Sequence, residues 1–248
     1  MTAIDTLTPD AIAARLSGSP EERAAFVREA ADAGVAEAQA VYGQMLLDGT
    51  GVVADPVAAL GWFTKAAAQH HVMALNMVGR CYDLGWGTAV DKARASQCYR
   101  IAAERGLDWA MYNYATLLAL GEGVGEDKPA ALALLETVAA MDSGLASAKA
   151  INFVGSFAED GWACERDLVR AAECYARAAE GGDFRGCFNH ARMLGAAGDV
   201  DAALVWLKRA GARGNAAFLG KAVAWLAASD IPAFRTAGVA ALREGAAC

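Results

Sequence analysis

Histidine and cysteine are the side chains most often used in nucleophilic and metal chemistry, and this chain of 248 residues has three histidines and six cysteines. Two of its three histidines, His70 and His71, are neighbours, and adjacent histidines in a turn rarely face one metal ion. The third, His190, takes an apolar position and is expected to be packed and hydrogen-bonded. No spacing resembles a Ser-His-Asp triad, a carboxylate pair or a phosphate loop. We therefore predict no catalytic residue, no metal site, no cofactor and no enzymatic activity.

The six cysteines give no sign of a zinc ribbon or a redox motif, because none forms a Cys-x-x-Cys pair. Cys81 and Cys98 are predicted on the two helices of one hairpin, where they can approach each other, and a redox role for this pair stays open. Residues 1–5 are polar and acidic and lack the pattern of a signal peptide. We expect a cytoplasmic protein with reduced thiols and no structural disulfide.

Composition and charge exclude several classes of partner. The net charge is −7, from 22 basic and 29 acidic residues, whereas nucleic acids and anionic membranes reward clustered lysine and arginine. No apolar run approaches the roughly 20 residues of a membrane span. Five prolines, abundant alanine and the lack of alternating Val/Ile/Thr runs favour helices over sheets. Neither nucleic acid nor a membrane is expected as the main partner.

A sequence block that recurs every 36 residues must supply the elements that position any site. Gly49-x-Gly51 returns as Gly85-x-Gly87 and Gly121-x-Gly123, each followed by an acid, a bulky pair and a small pair. A period of this length is typical of stacked units that bury their apolar faces against one another. The glycine pair is not a dinucleotide fingerprint, because no strand precedes it and the third glycine is missing.

Each unit is predicted to contain two antiparallel helices. In the second unit the first helix is predicted over 72–84, and its Gly79 holds a repeat position where a small residue lets the second helix pack closely. Asp55-Pro56 predicts the start of a second helix, since aspartate caps free amides and proline fits the first turn. The Gly-x-Gly pair supplies the positive-φ residues that end the first helix.

Irregular units interrupt or flank this pattern. The fourth unit is displaced by four residues, which indicates an insertion near 141–144, and a degenerate sixth hairpin is predicted over 215–228 and 233–244. Ser19-Pro20-Glu21-Glu22 predicts a capping box that opens an N-terminal helix. We predict an all-α right-handed superhelix, a solenoid of about six helical hairpins. Its parts are N-terminal capping helices at 1–33, four well-formed repeats at 34–182, and degenerate repeats with a cap at 183–248.

The motif Ala74-x-x-x-Val78-Gly79-x-x-Tyr82-x-x-Gly85-x-Gly87, followed by an acid and Cys98-Tyr99-x-x-Ala102-Ala103, resembles the Sel-one-like repeat. This family is a branch of the tetratricopeptide-like helical hairpins. The resemblance covers residues 34–182 well and 183–245 loosely, and it implies a protein that scaffolds or regulates other proteins. Some secreted relatives link hairpins by cysteine pairs, but the expected partner position of Cys187 is Ala179 here.

The resemblance also implies where a partner binds, because the first helix of each hairpin lines the concave wall in such proteins. Side-chain amides can hydrogen-bond to a peptide backbone, arginines can bind carboxylates and aromatic rings supply contact area. Carried over to this sequence, the partner-binding positions are Gln44, Asn76, Arg80, Trp109, Tyr112, Asn152, Ser156, Phe188 and Arg192.

Two functions compete for this architecture. The first is a scaffold or adaptor that binds a protein or peptide in the concave groove, with an acidic peptide as the expected form. The alternative is a non-catalytic accessory or regulatory subunit that docks stably on an enzyme through a convex or terminal surface. The sequence names no partner and leaves the oligomeric state open.

Overall fold

The structure, a computed structural model, describes residues 8–247, which contain α-helices and one π-helical turn but no strand. Residues 1–5, on which the prediction of no signal peptide rests, and Cys248 lie outside the described residues. The chain divides into two compact units, Met1–Glu126 and Asp127–Cys248, which we call the N-terminal and C-terminal units. The all-α class is confirmed.

The N-terminal unit is a stack of short helices in which each helix packs on the next along the chain. The first helices of its hairpins are α3, α5 and α7, and the predicted helix over 72–84 is confirmed by α5. The bounds are α1 (Pro9–Leu16), α2 (Pro20–Asp32), α3 (Ala36–Asp48), α4 (Pro56–Ala68), α5 (Val72–Leu84), α6 (Lys92–Glu104) and α7 (Asp108–Leu120).

The C-terminal unit continues the same plan with α9, α11 and α13 as first helices. The predicted insertion falls in the turn before α9. Helix α9 has 16 residues, whereas most of the helices have 13. A π-helical turn, Phe234–Gly238, precedes the last helix. The bounds are α8 (Lys128–Ala140), α9 (Leu145–Asp160), α10 (Leu168–Glu180), α11 (Phe184–Ala196), α12 (Val200–Arg213), α13 (Ala216–Ala227) and α14 (Val239–Ala246). The division at residues 33 and 182 stays a prediction.

The two glycines of each Gly-x-Gly pair have different structural roles. The first glycine ends a helix in the left-handed region, with φ of 71° at Gly49 and 75° at Gly85. The second glycine, Gly51 or Gly87, lies so close to the backbone of Pro20 or Pro56 that a Cβ atom would clash with it. The motif therefore ends a helix and also lets the loop touch the start of the second helix in the preceding hairpin.

The predicted aspartate caps are confirmed at every repeat. Asp55 accepts a hydrogen bond from the Ala58 amide at 3.0 Å, and the equivalent side chains accept in the same way. The capping box at Ser19 and Glu22 is also present. The other equivalent caps are Asp91, Asp127 and Asp167.

We expect Asp55→Ala to lower the free energy of unfolding by about 1 kcal/mol, because the first-turn amides of α4 lose their side-chain acceptor. Asp55→Asn is the matched control, since asparagine caps about as well as aspartate. Urea unfolding followed by circular dichroism measures both variants. Equal stability of Asp55→Ala and the parent chain would show that the cap contributes nothing.

Small residues at the middle of the first helices let aromatic rings from the second helices pack against the helix backbone. A Cβ atom on Gly79 would lie 2.7 Å from Cε1 of Tyr99, and one on Gly155 would lie 2.8 Å from Cε1 of Tyr175. Both tyrosine rings are 1% exposed and have no room to shift. The predicted close packing at Gly79 is confirmed.

This packing predicts opposite effects for two glycine-to-alanine changes in helices. Gly79→Ala should cost about 1–3 kcal/mol, because overpacking against Tyr99 outweighs the gain in helix propensity. Gly61→Ala in α4 should stabilise by up to about 1 kcal/mol, since nothing lies within 4 Å of its added Cβ. Urea unfolding of both variants provides the measurement, and the same sign for the two would contradict the packing account.

Candidate interaction surface

The buried asparagines of the first helices connect neighbouring hairpins. The Asn76 side-chain oxygen accepts a hydrogen bond from Nδ2 of Asn113 at 3.1 Å, and Asn152 accepts one from Asn189 at 2.9 Å. Asn76 and Asn152 are only 2% and 8% exposed. The sequence interpretation missed Asn113 and Asn189, although each follows its partner by the same 37 residues. In this structure the amides hold adjacent first helices in register.

Arg192 on α11 is held by contacts to two neighbouring side chains. Its Nη1 and Nη2 donate to the two carboxylate oxygens of Glu159 at 3.2 and 2.9 Å, and the guanidinium also donates to Asn189. The Tyr175 hydroxyl donates to the same carboxylate at 2.6 Å. Arg192 therefore links α11 to α9, and most of its donors are already used.

This network sets the ionisation of its members. Burial opposes the charge of Glu159, but the hydrogen bonds from Arg192 and Tyr175 outweigh it and hold the pKa of Glu159 below its usual value. Burial, together with the nearby Glu159 carboxylate, raises the pKa of Tyr175 well above its usual value. The network is an ionised carboxylate clamped between a cation and a neutral phenol.

The N-terminal unit contains a related network around Asp83. The Tyr99 hydroxyl donates to Asp83 at 3.2 Å, and Lys92 contacts both Asp83 and Glu122, at 2.6 and 2.8 Å. Burial disfavours the Lys92 ammonium, but the two carboxylates outweigh it and raise its pKa. Tyr99 to Asp83 and Tyr175 to Glu159 thus repeat one contact in both units.

The remaining predicted contact residues of the N-terminal unit are partly buried. Gln44 donates to Asp48 at 2.7 Å, and the Arg80 guanidinium lies 4.7 Å from the Trp86 ring centre. Trp109 and Tyr112 lie one turn apart on α7. The four predicted residues all lie on the first helices of this unit, and Arg80 lies over an aromatic ring.

In the C-terminal unit the predicted residues converge. The Ser156 hydroxyl donates to the Asn152 carbonyl and accepts from Tyr175, which also holds Glu159. Asn152 and Arg192 both contact Asn189. These contacts join Asn152, Ser156 and Arg192 into one polar network on α9 and α11.

An aromatic cluster adjoins this polar network. Phe188 packs edge-on against Phe218 and Trp225, with ring centres 5.7 and 5.6 Å apart, and the Arg192 guanidinium lies 5.5 Å from the Trp225 ring centre. Phe188 is buried, whereas Trp225 is 41% exposed. Trp225 lines two open grooves, of about 520 and 250 Å³. We call the surface formed by α9, α11 and α13 around Trp225 the Trp225 surface.

The histidines serve the fold. His71 caps α5, because its Nδ1 accepts from the Ala74 amide at 3.0 Å while Nε2 lies 2.8 Å from Glu37. His190 packs edge-on against Trp206, and burial lowers the pKa of its imidazole. The prediction that His190 is hydrogen-bonded is wrong for its Nδ1 atom, which has no hydrogen-bond partner among residues 8–247. Over the same residues no group of three or more His, Cys, Asp or Glu side chains is arranged to hold a metal ion.

The five cysteines of the described part are free thiols. Burial raises the pKa of Cys81 to about 11, and it raises the pKa of Cys187 to about 11 as well. Burial also raises the pKa of Cys98. A thiol is nucleophilic mainly as its thiolate, so these three positions are poor sites for alkylation or oxidation in the folded protein.

Alkylation at pH 7.5 should therefore separate the cysteines by position. In the native protein we expect Cys81 and Cys187 to react with iodoacetamide much more slowly than Cys164, which is partly exposed. After denaturation without reductant, all six should be modified. Peptide mass spectrometry gives the rates, and fast native labelling of Cys81 would contradict the burial argument. A two-hydrogen mass deficit in fresh protein would contradict the absence of a disulfide.

None of the helices over residues 8–247 is long and apolar enough to cross a membrane.

Comparison with known proteins decides the family. The model of the Sel1 repeat matches residues 36–71, 72–107, 110–143, 148–183 and 186–215, which together exceed half of the chain. The chain belongs to the Sel1 repeat family. Membership suggests a protein-interaction scaffold role, and it confirms the resemblance seen in the repeat motif.

Solved Sel1 repeat structures share this fold. A protective antigen of uropathogenic Escherichia coli strains, which displays an SLR fold, is 25% identical with a TM-score of 0.65 over 96% of this chain. The matched part is 52% of the antigen, so the chain spans about half of that protein. A Sel1 repeat protein from Oxalobacter formigenes is 23% identical with a TM-score of 0.67, and the match covers 92% of this chain and 96% of that one. Among curated protein sequences, none is significantly similar.

Proposed function

We propose that this Sel1 repeat protein is a non-catalytic adaptor that binds a protein or peptide along the first helices of its hairpins. The observation that carries the proposal is the Trp225 surface, where a tryptophan that is 41% exposed lies between two grooves. Exposed tryptophans on a rigid, packed base are the residues that most often anchor protein partners. The protein is proposed to work in the cytoplasm, without a metal, a cofactor or nucleic acid.

The predicted partner-binding residues fall into two groups according to their burial, and each group has its own proposed role. Gln44, Arg80, Trp109 and Tyr112 are partly exposed and are proposed to touch a partner in the N-terminal unit. Asn76 and Asn152 are buried and are proposed to support the surface. In the C-terminal unit Ser156, Phe188 and Arg192 are proposed to form the base on which Trp225 is presented.

An acidic partner remains part of the proposal, but Arg192 is not the main source of attraction. Its guanidinium already neutralises Glu159, so a second carboxylate gains little there. Arg80 contacts an aromatic ring and a methionine sulfur, and among the described residues it forms no ion pair. Arg80 is therefore the stronger candidate in the N-terminal unit for attracting a carboxylate.

The accessory-subunit alternative is favoured by a different observation. Three valines near the loops between the helices of the N-terminal unit are strongly exposed, with values of 89% for Val53, 68% for Val57 and 58% for Val90. Exposed apolar side chains are candidates for a docking surface that a stable partner covers. A stoichiometric partner that survives purification would favour this alternative, and a weak, salt-sensitive partner would favour the adaptor.

Hydrogen–deuterium exchange tests the adaptor directly. A peptide selected from a random display library on the full chain would be added at saturation, and exchange would be compared with the free protein. We expect protection in α11 and α13, whose side chains form the Trp225 surface. Protection confined to the loops around Val53 and Val90 would contradict the adaptor and support the docked subunit.

A further inference from the structure

The smaller groove beside Trp225 has a one-sided charge. It lies between α11 and α13, and its lining contains the cations Arg185 and Lys221 but no carboxylate. Arg185 and Lys221 are exposed, and among the described residues neither forms an ion pair. Arg185 lies over the Phe184 ring, with its Cζ 5.0 Å from the ring centre, which orders the guanidinium without neutralising it.

The larger groove on the other side of Trp225 differs in character. Leu168, Met193 and Ile231 supply apolar walls. The cations Arg166 and Arg192 also line this groove, but two carboxylates, Glu159 and Asp230, match them in number. Leu168 is 49% exposed, so an apolar side chain that entered here would cover apolar surface that water now contacts. The two carboxylates make this groove a poor place for a further carboxylate.

The two grooves meet at Trp225, and their linings are complementary to different ligand groups. An unpaired cationic pair in a chain of net charge −7 is complementary to an anion, and the apolar groove is complementary to a large aliphatic or aromatic side chain. A peptide backbone that crosses the Trp225 ring places one side chain on each side. The planar guanidinium of Arg185 suits a carboxylate.

We propose that the Trp225 surface binds a peptide segment in which no more than two residues separate an acidic residue from a large apolar residue. The carboxylate binds Arg185 and Lys221, and the apolar side chain enters the groove of Leu168, Met193 and Ile231. This inference rests on the proposed adaptor function and gives its partner a chemical class.

Matched synthetic peptides test this assignment. The probes are acetylated, amidated peptides in which glutamate and leucine are separated by no, one or two glycines, each paired with a copy that carries glutamine for glutamate. They are titrated into the full chain at low salt, and the indole N–H signal of Trp225 is followed by NMR. The best glutamate peptide should bind about fivefold more tightly than its glutamine copy, a difference expected for exposed ion pairs.

Variants separate the two grooves. Arg185→Gln with Lys221→Gln should reduce the glutamate peptide to the affinity of the glutamine copy and leave the glutamine copy unchanged. Arg209→Gln is the matched control, because Arg209 lies over the Trp206 ring on α12 in a similar way. Replacing leucine with alanine in the peptide should weaken binding by about tenfold, since most of the buried apolar area is lost.

Equal affinity for the glutamate and glutamine peptides, or no shift of the Trp225 signal with any of them, would overturn the assignment. The adaptor function fails separately. A display-selected peptide that protects α11 and α13 but shows no preference for the acid would keep the adaptor and remove only the acidic–apolar segment. Protection on the first helices of the N-terminal unit would also remove only the acidic–apolar segment, and protection on none of the first helices would remove both.

Discussion

Alanine in place of Arg192 is expected to lower the free energy of unfolding by about 2 kcal/mol. Exposed ion pairs contribute about 0–1 kcal/mol, whereas removal of one partner from a buried pair costs about 3–5 kcal/mol. The side chains of Arg192 and Glu159 are 21% and 23% exposed, so the pair lies between these limits. The variant leaves a partly buried carboxylate whose remaining side-chain donor, among residues 8–247, is Tyr175.

The control for this prediction comes from the same unit. Arg170 donates to Glu136 at 2.6 Å, a good geometry, but the two side chains are 41% and 48% exposed. Arg170→Ala should therefore cost less than about 1 kcal/mol. Urea unfolding at pH 7 compares the two variants, and an equal loss of stability would show that burial of the Arg192 pair adds nothing.

The same pair predicts a pH dependence. Because the folded-state pKa of Glu159 is lowered, its contribution is fully present above the usual glutamate pKa of 4.5 and is lost as the pH falls through the folded value. Arg192→Ala removes the largest of the interactions that lower this pKa. The stability difference between the parent chain and the variant should thus shrink as the pH is reduced from 7 towards 3. A constant difference would contradict the assigned ionisation.

The helical framework was predictable because its signals are local and repeated. Aspartate caps, proline at the first turn and glycine after the last turn each depend on a few neighbouring residues, so the start of α4 after Asp55 and the end of α5 before Gly85 could be read directly from the sequence. Gly79 revealed the close approach of Tyr99 because the same position is small in every unit. The insertion before α9 was visible as a change in the repeat spacing.

The binding surface was less predictable, because long-range contacts decide which side chains are available. Asn76 and Arg192 lie on first helices, but Asn113 and Glu159 from neighbouring hairpins occupy their polar groups. Trp225 was missed for another reason. It lies in the degenerate last hairpin, where the repeat motif no longer assigns a role to each position. The signal available in the sequence was a tryptophan within the helix that begins after Asn215.

Trp225→Ala is expected to weaken the binding of a display-selected peptide by at least about 2 kcal/mol, which is about thirtyfold. The indole forms the wall between both grooves of the Trp225 surface, so its removal joins them and deletes the largest exposed aromatic contact. The substitution also removes the packing of the indole against Phe188, so some fold stability is lost as well. Thermal melting checks that the variant stays folded.

The decisive measurement is a titration of that peptide, by calorimetry, against the parent chain, Trp225→Ala and Trp206→Ala. Trp206 is the matched control, because it is a partly buried tryptophan on the second helix of a hairpin, where Arg209 also lies over the ring. If the Trp225 surface binds the peptide, Trp225→Ala binds about thirtyfold more weakly and Trp206→Ala binds like the parent. Equal affinity of all three proteins, or a loss confined to Trp206→Ala, would contradict that claim.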